Sequence, residues 1–221
     1  MPAESSQTLD RGVRLLFALA DSPAGRTVTE LALSLGVSRA VVYRLVTTLS
    51  EHGLVRRNEG RVNLGLGVLQ LAGRVHPQLR DAAAPVLRGL AEDVGATAHL
   101  TVVDGGEALA VAAVEPSWTD YHVAYRVGSR HALTRGAAGL AILRGRERDG
   151  GTGGAGRAGD AAQPYVRTTG ELQPGARGLA APIRGVPGLE ASVGVVSLTD
   201  LDDSVGPRVV AAAAELTALL T

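Results

Sequence analysis

Between Thr27 and Leu64 the chain carries helix starts, helix stops and a hairpin in a fixed order, and few folds satisfy all of them. Thr27-Val-Thr-Glu30 is a capping-box pattern, in which a hydroxyl bonds the backbone N–H three residues on and a carboxylate reaches back. It opens a short helix that turns Leu31 and Leu35 inward. Gly36 can take the left-handed conformation that closes such a helix. Ser38 is a good N-cap for a further helix running to about His52, where Gly53 stops it. Two β-prone stretches follow, residues 54–57 and 61–64, with Asn58-Glu59-Gly60 between them as a three-residue hairpin loop. Upstream, residues 9–20 read as a helix with Leu9, Val13, Leu16, Phe17 and Ala20 on one face. Arg11, Arg14 and Ala18 fall opposite, and turn residues from Asp21 to Gly25 end the helix. Three short helices and a hairpin make a winged helix, with its helix-turn-helix over residues 27–46.

The chain downstream has another character. Leu66, Leu69, Gln70 and Gly73 suggest a linker helix, and a separate helix opens near Pro85, burying Val86, Leu87, Leu90, Ala91 and Val94. Residues 97–103 and 107–114 read as strands joined at Asp104-Gly105-Gly106. Tyr121, Val123, Tyr125 and Val127 alternate as a third strand. A helix over 136–144, a loop over 145–163 and strands over 179–183 and 192–198 follow. Pro207 then opens a last helix with Val209, Ala213, Leu216 and Leu220 inward. The fold class is therefore α+β. The expected domains are a DNA-binding head over 5–67, a linker helix over 68–80 and a body over 81–221.

Composition narrows the function. The chain has no cysteine, which excludes disulfides and thiol-based metal or redox sites. No apolar run approaches the ~18 residues of a membrane span and no apolar signal region opens the chain, so a cytoplasmic protein is expected, with no membrane partner. Formal charge balances at 22 basic against 22 acidic residues, which disfavours a non-specific architectural DNA binder. The balance is uneven along the chain, however. Through Val75 nine arginines face six acids, a surplus of three, so the head is mildly basic and the remainder mildly acidic.

The function-bearing segment is the helix opened by Ser38. Val42, Leu45, Val46 and Leu49 share a narrow arc for packing, while Ala40, Arg44, Thr47 and Glu51 lie opposite, with Tyr43 on the flank. A helix so divided can enter a major groove by its N-terminal part. Arg39 and Arg44 suit phosphates or guanine edges, and Thr27, Ser38, Tyr43 and Thr47 can hydrogen-bond phosphates or bases. Arg56, Arg57 and Arg61 on the hairpin would bring charge to the adjacent backbone. An ordinary bundle with solvated arginines is the competing reading of the helix alone. The ordered caps, stop glycines and basic hairpin favour DNA.

These residues resemble a known family. LDRGVRLLFALA from Leu9, VTELALSLGVSRAVVYRLVTTLSEHGLV from Val28 and VNLGLGVLQLA from Val62 look like the head of IclR-type transcription regulators. LTRGAAGLA from Leu133, GELQPGARGLAAPI from Gly170 and VGVVSLT from Val193 are similar to that family's effector-pocket segments. The resemblance implies a GAF-like effector-binding body, homodimers or homotetramers, and a pseudo-palindromic double-stranded DNA operator. It also implies a small-molecule effector, with an organic or aromatic acid as the expected class. The pocket candidates it implies are Leu133, Ala137, Thr168, Ala176, Gly178, Ser197 and Thr199; the Ser197 and Thr199 hydroxyls either orient a carboxylate or carbonyl or, as same-face strand residues, hydrogen-bond backbone. Trp118 and Tyr121 are candidate walls, with aromatic core packing the competing reading. Several positions depart from the family's habit: Ala40 and Val41 where polar residues are common, Thr134 for a frequent histidine, Gly178 for a frequent cysteine, and Thr168 where some members carry an acid.

No catalytic constellation stands out. Ser192-Val-Gly194 lacks the flanking glycine of a nucleophile elbow. His52, His76, His99, His122 and His131 have no paired metal-ligand spacing, although His99, His122 and His131 could converge across strands. The glycine-rich stretch 150–159 lacks the lysine and hydroxyl of a phosphate loop. The expectation is a regulator that is not an enzyme and holds no cofactor or metal. The alternative is a metabolite-binding or enzymatic α/β protein whose winged helix serves protein interaction.

Overall fold

The computed structural model describes residues 6–74, 77–119, 123–148 and 163–221. The chain forms two compact units, Met1–Pro77 and Gln78–Thr221.

In the first unit, helix α1 (Gln7–Ala20) is capped by Ser6, and a two-residue strand β1 (Arg26–Thr27) leads into α2 (Val28–Leu35). The capping box forms as expected. Thr27 Oγ1 accepts from Glu30 N at 3.2 Å, and Thr27 N donates to Glu30 Oε2 at 2.7 Å. Gly36 closes α2 at φ 65°, a region costly for any residue with a Cβ. Ser38 caps α3 (Arg39–Glu51), and β2 (Val55–Asn58) and β3 (Arg61–Leu64) form the wing. Asn58 pairs with Arg61, so the hairpin loop is two residues rather than three. Glu59 and Gly60 both have positive φ (49° and 79°), a pairing that matches a turn to the strands' right-handed twist. Strand β1 joins the other side of β3, an addition too short to leave a periodic signal. The core gathers Leu15, Leu19, Leu31, Leu35, Val42, Leu45, Val46, Val55 and Val62. Each such side chain contributes about 1.5–3 kcal/mol on burial.

One face of α1 reverses the expectation. Gly12, Leu15 and Leu19 are buried, whereas Leu9 and Phe17 are 67% and 66% exposed and Val13 is exposed too. The helix carries two apolar stripes, and periodicity alone cannot say which one the core takes. Helix α4 (Gly67–Ala72) buries none of its residues, leaving Leu69 and Leu71 exposed. Instead of one linker helix over 68–80, α4 ends at Ala72 and α5 (Pro77–Val94) starts at Pro77; Val75 and His76 lie outside the described residues. Pro85 therefore sits inside α5 rather than opening it. Lacking an N–H, it gives nothing to the carbonyl four residues back, but Leu79 and Ala83 bury the turns on its N-terminal side.

Among the described residues the second unit is built on one antiparallel sheet of six strands: β4 (Thr97–Asp104), β5 (Glu107–Val114), β6 (Arg130–Ala132), β7 (Val166–Thr169), β8 (Arg177–Ile183) and β9 (Ala191–Ser197), in the order β6-β5-β4-β9-β8-β7. Helices α5 and α7 (Val205–Leu220) cover one face, packing Leu87, Leu90, Val209 and Leu216 on Leu100, Leu179, Val193 and Val195. Helix α6 (Gly136–Arg148) covers the other, with Ala137 and Ala141 on Val166 and Ala180. The third strand expected over 121–127 is not one. Residues 123–127 run outside the sheet, β6 takes the edge beside β5 instead, and Tyr121 lies outside the described residues. Thr97 Oγ1 donates to the Val123 carbonyl at 2.7 Å, so a side chain from β4 holds that segment instead of a ladder. Most of the expected loop over 145–163 also lies outside the described residues, and its first part is the end of α6. No single described helix is long and apolar enough to cross a membrane.

Candidate nucleic-acid interface and effector cavity

On α3 the expected division holds. Val42, Leu45 and Val46 are buried against α1 and α2, and Arg39, Ala40, Tyr43, Arg44 and Thr47 are exposed. The packing matters because a recognition helix must hold its outer face still while that face meets bases.

The hydrogen bonds sort the candidates further. Thr27 and Ser38 serve as caps, Ser38 Oγ accepting from Val41 N at 3.4 Å. Thr47 Oγ1 donates to the Tyr43 carbonyl at 2.9 Å, so its proton is spent within the helix. Arg61 donates to the Gly25 carbonyl at 2.9 Å and stands 3.8 Å from Glu30, which ties the wing to the start of α2. Glu30 is held below the usual carboxylate range, first by its bond from the Thr27 backbone and also by the Arg61 charge. Arg14 pairs with Asp10 and Arg26 with Ser22. Among the described residues Arg39, Arg44, Arg56 and Arg57 make no hydrogen bond or ion pair. Arg57 alone has another contact, its guanidinium lying 5.2 Å from the centre of the Tyr43 ring. Four unpaired cations on α3 and the wing are what a polyanion would meet.

In the second unit, strand alternation builds a cavity on the α6 side of the sheet. Thr97, His99 and Thr101 of β4 face that side, opposite Ala98, Leu100 and Val102 in the core. Register brings His99 beside Gly194, and Gly178 beside Val196. A cavity of about 40 Å³ is lined there by His99, Tyr125, Ala137, Thr168, Ala176 and Gly178, among others. It is tight: a Cβ on Gly178 would come within 3.2 Å of both Ala137 Cβ and Thr168 Oγ1. A larger hollow of about 260 Å³ lies beside Arg146, and the Arg146–Glu190 ion pair lines it.

The cavity's chemistry centres on His99, which is 3% exposed. Its ring stacks on Tyr125 with centroids 4.4 Å apart and planes 12° from parallel, and its Nδ1 lies 3.3 Å from Thr101 Oγ1. Burial, assisted by the nearby His131, pushes its pKa down to about 3, so the ring is neutral at physiological pH. Burial likewise raises Tyr125, opposed by its hydrogen bond with Thr101. At the rim, Gly136 N at the start of α6 donates to Glu171 Oε2 at 2.7 Å, and the Arg135 guanidinium donates to the Glu171 carbonyl. Leu172 packs over Gly136.

Of the seven pocket candidates the structure brings four together: Ala137, Thr168, Ala176 and Gly178. Leu133 packs instead with Ala108 and Ile142. Ser197 and Thr199 do not line the cavity. Ser197 shares the sheet face of Val195, away from α6, and its Oγ accepts from Thr199 N at 3.0 Å while bonding Thr199 Oγ1 at 2.9 Å. These hydroxyls finish the end of β9. Trp118 does not line it either, being 64% exposed with Nε1 donating to the Glu92 carbonyl. Sequence reasoning missed His99, Tyr125 and Glu171 as cavity residues. Thr97, His99 and Thr101 at every second position of an apolar strand were a readable signal for a polar pocket face. Glu171 had none, because its partner is 35 residues away.

A winged-helix head followed by a body whose sheet is covered by helices on both faces defines a class of two-part winged-helix proteins. The IclR helix-turn-helix domain model matches residues 8–59, and the model of the C-terminal part of bacterial IclR transcriptional regulators matches residues 74–150. The chain belongs to the IclR family. It is 30% identical over 142 residues to the acetate operon repressor of Salmonella typhimurium, covering 62% of this chain and 52% of that protein. It is 29% identical over 142 residues to the transcriptional repressor IclR of Escherichia coli, with the same coverage. The chain thus spans about half the length of the curated relatives it matches. Among solved structures, an IclR homologue from Microbacterium hydrocarbonoxydans in complex with 4-hydroxybenzoate superposes with a TM-score of 0.79 at 21% identity, covering 97% of this chain and 99% of that one. HmgR of Pseudomonas aeruginosa gives 0.76 at 21% identity, covering 97% and 99%. At these identities the likeness is one of fold.

Proposed function

We propose that this protein is a sequence-specific DNA-binding repressor of transcription whose operator affinity is set by a small organic acid bound under α6. The observation that carries the reading is the outer face of α3. Arg39, Tyr43 and Arg44 lie exposed on a helix fixed by Val42, Leu45 and Val46, beside two further unpaired arginines on the wing. The repressor names of the curated relatives support the direction of control.

The exposed stripe of Leu9, Val13 and Phe17 supports pairing of two heads, because three large apolar side chains four residues apart gain most from a second copy. A two-fold pair would read a pseudo-palindromic operator, and further association would give a tetramer. Such a regulator works in the cytoplasm, where the DNA is. For the effector, the neutral ring of His99, the Tyr125 phenol and the Thr168 hydroxyl offer polar contacts among small apolar neighbours. The 4-hydroxybenzoate held by the Microbacterium homologue supports an aromatic acid as its class. A volume of about 40 Å³ is far below the roughly 300 Å³ at which pockets for small organic ligands begin. A ring-sized acid therefore enters only if Tyr125 or the segment of Glu171, Leu172 and Gln173 moves aside.

Selecting duplexes from a random-sequence pool with the purified protein, then measuring fluorescence anisotropy on the winner and a scrambled copy, tests the reading. The selected duplex should bind at least about 1,000-fold more tightly than the scrambled one at physiological salt. Adding 4-hydroxybenzoate or another member of a panel of small organic acids should change that affinity about 5- to 150-fold. Equal binding to both duplexes, or none, rejects sequence-specific regulation. Specific binding that no acid alters rejects only the effector class.

A further inference from the structure

Strand alternation gives the two adjacent wing arginines different surroundings. Val55 is buried, and Arg57, two residues on, points to the same side of β2; its register partner Val62 is buried as well. Arg57 thus leaves the wing on the side packed against the first unit's core, whereas Arg56 leaves it on the other. At the edge of that core stands Tyr43 of α3, 50% exposed, with the Arg57 guanidinium 5.2 Å from its ring centre. Neither side chain makes a hydrogen bond or ion pair among the described residues, which leaves this ring contact as their one polar interaction there.

We infer that Tyr43 is a positioning residue for DNA binding, acting through Arg57: its ring holds the guanidinium of the wing beside the recognition helix before DNA arrives. A flat, weakly hydrated guanidinium can lie against a ring by its face while its N–H edges stay free for phosphate oxygens. A long side chain already held in place loses less freedom on binding than one that must be caught from solvent. The contact also joins the recognition helix to the wing, so that the two approach DNA as one surface. Arg56, on the opposite side, lacks this support and makes the natural comparison.

The inference rests on the DNA-binding reading, and a double-mutant cycle separates their failures. Wild type, Tyr43→Leu, Arg57→Ala and the double variant are titrated against a duplex selected by the wild-type protein, at several salt concentrations. Tyr43→Leu should weaken binding about two- to fivefold, the range of an exposed cation–ring contact, and should cost nothing further once Arg57 is alanine. Arg57→Ala should make the salt dependence shallower by about one counterion. Tyr43→Phe keeps the ring and should bind like wild type, while Arg57→Lys, which keeps charge without the plane, should resemble Tyr43→Leu. Losses that add in the double variant overturn the inference, as does a Tyr43→Phe loss equal to that of Tyr43→Leu, which would mean a direct contact by the hydroxyl. Wild-type protein that selects no duplex rejects both the inference and the reading beneath it. Melting temperatures are measured alongside, and Arg57→Lys decides the matter should Tyr43→Leu unfold.

Discussion

Arg44 stands exposed on α3 with no ion pair or hydrogen bond among the described residues, whereas Arg61 is bonded to the Gly25 carbonyl and close to Glu30. The sequence could not tell these arginines apart, since each is a cation in a basic head. What separates them is an antiparallel pairing of β1 with β3, in which Arg61 lies opposite Thr27 and so beside the capping box. Their substitutions should therefore report different quantities. Arg44→Ala should lower operator affinity by about 1–3 kcal/mol with an altered site preference if it reads a base, and leave the melting temperature unchanged. Arg61→Ala should lower stability by about 1 kcal/mol, a modest figure because the side chain is 46% exposed. Denaturant titration and anisotropy on both variants check this. An Arg61 variant of full stability but weak DNA binding would return Arg61 to the interface.

At the scale of elements, the pieces legible from sequence were those with local chemistry. The Thr27 box, Gly36, Ser38 and Gly53 set α2 and α3 because each signal acts within four residues of itself. Elements set by distant partners were misread. Pro85 looked like a helix start, but burial of Leu79 and Ala83 carries α5 through it. Alternation from Tyr121 to Val127 looked like a strand, but Thr97 captures the segment's carbonyl, and Tyr125 stacks on His99. The pocket face of β4 is where this changes behaviour with pH. The folded protein keeps His99 neutral down to about pH 3, while an unfolded chain protonates it near 6.5. Above 6.5 neither state carries that proton and stability at this site is whole. As the pH falls below 6.5 the unfolded chain binds the extra proton, and stability drops by up to about 1.4 kcal/mol per unit. Denaturant midpoints between about pH 7.5 and 5 should show this slope in wild type and a flatter one in His99→Gln. Parallel slopes would mean that His99 is protonated in the fold.

For the whole molecule, zero net charge concealed a division of labour. The first 75 residues carry a surplus of three positive charges and the rest balances it, and within the head the fold leaves arginines uncommitted where α3 and the wing are. The apolar stripe of α1 was visible as periodicity but misassigned, since a core face and an interface for a second copy share one spacing. The most direct measurement is interference by methylation of guanine N7 on a selected duplex. A recognition helix entering the major groove of each half of a paired operator predicts two clusters of interfering guanines, about 10 base pairs or a multiple apart, with Arg44→Ala erasing sensitivity at one guanine in each. Interference confined to phosphate ethylation, with every guanine N7 indifferent, would contradict the claim that α3 reads bases.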